Sequence, residues 1–62
     1  MSNEETKKII KRYRLFHYEI AEIIGVQESL FSKWFRKELS QDQVYLIMNA
    51  INQLKEDMND SN

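Results

Sequence analysis

Residues 17–37, HYEIAEIIGVQESLFSKWFRK, contain the only glycine in a 62-residue chain that has no proline. One permissive backbone position and no rigid one leave few places for a sharp reversal. Ahead of Gly25, the apolar residues Ile20, Ala21 and Ile24 recur at one-turn spacing, and after it Leu30, Phe31, Trp34 and Phe35 do the same. This pattern predicts two short helices, over about 17–24 and 27–37, folded around one tight corner. Ala21 falls where the two helices cross and only a small side chain permits close approach. Gly25 falls where the chain reverses, with a positive φ that a Cβ would penalise. Val26 plugs the corner, and Phe31 and Trp34, three residues apart, face the core from the second helix.

One further helix is expected on each side of this corner. Ser2 followed by Glu5 fits a capping box, and Glu4 and Glu5 suit the positive end of a helix dipole, so a helix opens over about 3–14. Ile9, Ile10 and Tyr13 form its buried stripe, while Lys7, Lys8, Lys11, Arg12 and Arg14 lie mostly on the wet side. For Lys7 and Lys8 this is an ordinary solvated face. Leu15 should point inward from the turn that follows. Glu38 and Leu39 form a short connection, and Ser40 with Gln43 is a second capping box. It opens a helix over about 41–57 with an apolar stripe of Val44, Ile47, Met48, Ile51 and Leu54. Tyr45 lies off that stripe. Leu54 and Met58 reach past what a core this small covers, either as an overhanging helix end or as a dimer contact. The expectation is an all-α, four-helix single domain over residues 1–58, with a disordered tail at 59–62.

Size and composition narrow the function. A chain this short buries only about 60% of its unfolded surface, so its stability is modest and a partner subunit would add to it. No cysteine means no disulfide, thiolate metal site or redox chemistry, and the lone His17 has no cluster with which to hold a metal. No cofactor is expected. No apolar run approaches the roughly 20 residues that cross a bilayer, and no signal-peptide pattern opens the chain, so a cytoplasmic protein without a membrane partner is expected. No carboxylate pair, nucleophile–base set or phosphate loop is present in the sequence, which argues against an enzyme and against a small-molecule ligand. The net charge is −1 and the pI about 5.7, but the charges are polarised. Residues 1–16 hold five cations against two acids, residues 17–40 three against four, and residues 41–62 one against four.

The order Ala21, Gly25, Val26, Phe31, Trp34 is a helix-turn-helix signature. On these residues the chain resembles the lambda repressor-like (Xre-type) DNA-binding domains, especially the small forms of prophages and mobile elements in Gram-positive bacteria. The resemblance implies a lambda repressor-like fold, with four helices where the family has five. It also implies sequence-specific binding of double-stranded DNA by a small, repressor-like transcriptional regulator. Such a protein works as a homodimer on two half-sites about 34–36 Å apart.

In that arrangement the second helix lies across the DNA backbone and the third enters the major groove. The family analogy places base-edge contacts on Gln27, Glu28, Ser29 and Lys33, with Ser32 beside them. Gln27 can pair with adenine, Lys33 with guanine, Glu28 with a cytosine amine, and Ser29 with almost any edge. His17 stands where many relatives carry a phosphate-contacting Gln, and Arg14 lies at the turn leading to it. Arg36 and Lys37, past the last base-reading turn, suit phosphates. Glu19 and Glu22 are expected in solvent, and Leu30 half exposed, packing under the corner in preference to meeting a thymine methyl. Arg14 and Phe16 replace the family's turn glycine and its Ser or Thr cap, and Phe35 replaces the acid of a buried Arg–Glu pair. The alternative is a helical protein–protein interaction module that keeps the fold without binding DNA, which suits the acidic pI.

Overall fold

Ser2 opens α1 (Asn3–Arg12): its hydroxyl accepts from the Glu5 amide at 3.2 Å, satisfying one of the helix's first unpaired donors. The computed structural model describes the backbone of residues 2–60 and the side chains of residues 2–56. All four regular elements in that range are helices: α1, α2 (His17–Ile24), α3 (Glu28–Trp34) and α4 (Gln41–Asp60). The second helix has the predicted limits, and the others shift at their ends. No helix among the described residues is long and apolar enough to cross a membrane.

The two corners flanking α2 close with the same kind of hydrogen bond. At the end of α1, the Leu15 amide donates to the Ile10 carbonyl at 3.1 Å and the Arg14 amide to the Lys11 carbonyl at 3.0 Å. This is the Schellman arrangement, and it puts the residue between helix and loop in the left-handed region. That residue is Arg14, at φ +56°, which is why α1 stops at Arg12 rather than 14. At the end of α2, the Val26 amide reaches back to the Ala21 carbonyl at 3.0 Å, and Gly25 takes the left-handed position at φ +93°. Nothing lies within 4 Å of where a Gly25 Cβ would sit. The glycine is needed there for its dihedral freedom and not for space.

Helix starts follow the polar residues only in part. Ser40 and Gln43 form the predicted reciprocal box at α4, with bonds of 2.9 and 3.1 Å. Phe16 offers α2 no side-chain acceptor, but the Glu19 carboxylate accepts the Phe16 amide at 2.9 Å. Glu19 is therefore tied to the backbone and half-buried, contrary to the expectation that it is simply solvated. The third helix ends at Trp34, short of the predicted 37, because Phe35 and Arg36 tighten into i→i−3 bonds to Ser32 and Lys33 at 3.3 and 3.0 Å. The fourth runs to Asp60 instead of 57, since no glycine or proline interrupts it. The expected tail at 59–62 thus starts inside a helix; residues 61 and 62, and the Met58 side chain, lie outside the described residues.

Every helix and both outer connections feed one core: Ile10, Leu15, Ile20, Ala21, Phe31, Leu39, Ile47, Ala50 and Ile51. Leu39, read from the sequence as part of a mere connection, is buried. So is Thr6, whose hydroxyl donates to the Ser2 carbonyl at 3.1 Å. Among the described residues no buried side-chain nitrogen or oxygen lacks a partner. Ile9 and Tyr13 reach only half-burial, as does Trp34, which packs against the core rather than inside it. Leu30 is 46% exposed, as expected, but does not pack under the corner, because it lies about 100° round α3 from the buried Phe31. The Lys55 ammonium sits 4.6 Å from the Tyr13 ring centre, joining α4 to the end of α1.

The two left-handed positions give opposite mutational outcomes. Arg14→Gly relieves a strain of about 1–2 kcal/mol and costs about 0.5–1 kcal/mol in unfolded-chain entropy. A Tm rise of a few degrees is expected in thermal unfolding. Gly25→Ala, at the other corner, lowers stability by about 1–2 kcal/mol. A fall for Arg14→Gly would contradict the strained geometry at the first corner.

Candidate nucleic-acid interface

A seven-residue helix has no stability of its own, so the placement of α3 is set by what it packs on. The anchor is Phe31, with no exposed surface. Its ring meets the His17 imidazole edge-on at 5.2 Å, Phe35 edge-on at 5.4 Å and Trp34 at 5.6 Å. His17 in turn stacks on Phe35 at 5.6 Å with 16° between ring planes. The start of α2 and the end of α3 are thereby locked together by aromatic contacts.

With Phe31 turned inward, the opposite side of α3 is fixed by the helical period. Glu28, Ser29, Ser32 and Lys33 are all exposed and share an arc of about 140°. Gln27, the extended residue that opens the helix, is exposed beside them. The long α4 does not cover this surface. Arg36 and Lys37 are exposed as well, but they lie in the turn after α3 rather than on its last helical turn as predicted. Arg14 is exposed three residues before His17. The structure thus gathers Gln27, Glu28, Ser29, Ser32 and Lys33 on one face, with Arg36 and Lys37 continuing from its end. His17 joins them through Phe35, half-buried and committed to ring packing.

Two contacts in this region were invisible to sequence periodicity. The Lys7 ammonium lies 5.5 Å from the centre of the Phe35 ring, so Lys7 is not only part of a solvated face. The first helix is thus linked to the segment after the third by a cation over an aromatic ring. Asn3 also reaches the same segment, with side-chain bonds to Phe35, Lys37 and Leu39. Neither contact leaves a periodic or motif signal, because both depend on how distant helix ends meet.

Two open surface clefts accompany this face without including it. One of about 400 Å³ is lined by Glu38, Leu39, Gln41, Val44 and Tyr45, and one of about 240 Å³ by Glu5, Lys8, Ile9 and Arg12. No α3 residue lines either. No family model, no curated protein and no solved structure matches the chain.

Because Phe31 is enclosed and Trp34 half-exposed, truncation should rank them in that order. Phe31→Ala is expected to cost about 3–5 kcal/mol, comparable to the whole stability of so small a domain. Trp34→Ala, at the partly exposed edge of the core where the site can relax or admit water, should cost about 1–3 kcal/mol. Urea unfolding of the two variants checks this, and the reverse order would contradict the placement of the two rings.

Proposed function

We propose that this chain is a sequence-specific double-stranded DNA-binding protein of lambda repressor-like architecture, with α3 as the helix that enters the major groove. The observation that carries the reading is the division of α3. Phe31 locks one side into the core, while Gln27, Glu28, Ser29, Ser32 and Lys33 stay uncovered on the other. A helix with side chains is about 10–12 Å across and the major groove about 12 Å wide, so such a face fits that groove. Gln27, Ser29 and Lys33 supply the donors and acceptors that base edges require, and Glu28 selects for a cytosine amine at some cost in affinity. Arg36, Lys37 and Arg14 serve the phosphates, with His17 holding a smaller share because its ring is packed on Phe31 and Phe35.

The length of α3 argues for two copies. Seven residues span about 10 Å, which covers about three base pairs. A homodimer on a two-fold site with half-sites about 34–36 Å apart would double that reading. Occluding a promoter or recruiting a partner protein is the mechanism expected of a small cytoplasmic regulator of a phage or mobile element. A protein-interaction module is the second reading. Phe16 and Tyr18, 62% and 54% exposed and stacked at 5.5 Å, together with the net acidic charge, favour it.

The test separates base from phosphate contacts on adjoining residues. Across a randomised library of duplex sites, Lys33→Ala should relax preference at one position of each half-site, at about 1–3 kcal/mol there. Arg36→Ala should weaken all sequences alike. Identical behaviour of the two variants would contradict the assigned roles, and no binding by the parent protein would favour the interaction module.

A further inference from the structure

We propose that Asn3 is a positioning residue for the cationic turn after α3, an inference that rests on the DNA-binding reading. The Asn3 side chain makes three hydrogen bonds to one segment more than 30 residues away. Its Nδ2 donates to the Lys37 carbonyl at 2.7 Å and to the Phe35 carbonyl at 3.3 Å, and its Oδ1 accepts from the Leu39 amide at 2.9 Å. Only one orientation of the amide satisfies all three. Turned over, it would set its oxygen against two carbonyls and its NH2 against an N–H donor.

The bonded groups flank Arg36 and Lys37 in sequence, and this stretch has no helix of its own. The Arg36 amide is tied to the Lys33 carbonyl at 3.0 Å, and the Ser40 amide to the Gln43 side chain at 2.9 Å. Between those two points Asn3 sets the backbone path, while the buried Leu39 side chain holds the inner side. One turn further along α1, Lys7 lies over Phe35, so the same helix grips this segment twice. Arg36 and Lys37 point outward from a fixed backbone as a result. Two long flexible cations lose less entropy on meeting phosphates when their backbone is already ordered. Asn3 is not needed to start α1, because Ser2 already caps it. Its amide serves the turn.

Asn3→Ala should lower duplex affinity about tenfold and flatten the slope of log K against log salt by about 1–2, at about 0.9 for each phosphate no longer neutralised. The ranking of base sequences should not change. Ser2→Ala weakens the start of the same helix without touching the turn, and should stay within about twofold of the parent. In an Arg36→Ala/Lys37→Ala background, Asn3→Ala should cost nothing further. Hydrogen exchange at the Leu39 amide, measured without DNA, should speed up in Asn3→Ala and not in Ser2→Ala. Equal binding losses for Asn3→Ala and Ser2→Ala, an undiminished loss in the double-variant background, or unchanged Leu39 exchange would each overturn the inference. If the parent protein itself fails to bind duplex DNA, the DNA-binding reading falls and this inference with it. If the parent binds and Asn3→Ala matches Ser2→Ala, only the inference falls.

Discussion

The enclosure of Phe31 is the constraint on which the rest of the fold depends. Helices α2 and α3 are eight and seven residues long, too short to persist alone, so their mutual angle is set by contacts. Phe31 provides the central one, with Ile20, Ala21 and Ile47 also at the floor of exposure. Ala21 also supplies the carbonyl that accepts the Gly25 and Val26 amides at 2.8 and 3.0 Å. One small residue therefore serves both the packing of α2 and the hydrogen bonds of its corner. Once these contacts are made, the outward face of α3 follows from helical geometry.

The attachment of α1 uses several different interactions rather than one buried ion pair. An ion pair between helices has to overcome the desolvation of both charges, and its net contribution is often small. Here the Phe35 ring meets both the Lys7 ammonium and the His17 imidazole, and Asn3 adds neutral hydrogen bonds nearby. Neither arrangement buries an unpaired charge. The Lys55–Tyr13 contact does similar work at the opposite end of α1. These links join the basic early part of the chain to the elements around α3.

Local signals in the sequence are legible where a single residue type answers a local need. Gly25 marks a left-handed corner, Ser40 and Gln43 a helix start, and the spacing of Ile47 and Ile51 a buried stripe; each has that role in the structure. The C-terminal limit of α2 was legible for the same reason, whereas its start at Phe16 carries no capping side chain. What escaped was set by tertiary context. Leu39 and Thr6 are buried by segments far away in sequence, and Glu19 finds the Phe16 amide because Phe16 cannot cap the helix. Leu30 belongs to an apolar pattern, but its direction on α3, about 100° from Phe31, leaves it exposed. At the candidate site, the face of α3 was legible from the period. The place of Arg36 and Lys37 beyond the helix was not, because α3 ends in a tight turn that no glycine or proline announces. The packing of His17 and the bonds of Asn3 left no local trace either.

The net charge of −1 makes electrostatics the sharpest test of the central claim. If the acids of α4 face away from DNA while Arg14, Arg36 and Lys37 meet its phosphates, binding must release counterions despite the overall acidity. The direct measurement is affinity for a random-sequence duplex over a series of salt concentrations from low to physiological. A straight decline of log K with log salt, with a slope of about −3 for each bound protomer, is the result this account predicts. A flat response, or no binding at low salt, would contradict it and leave a helical fold whose exposed α3 face serves another kind of partner.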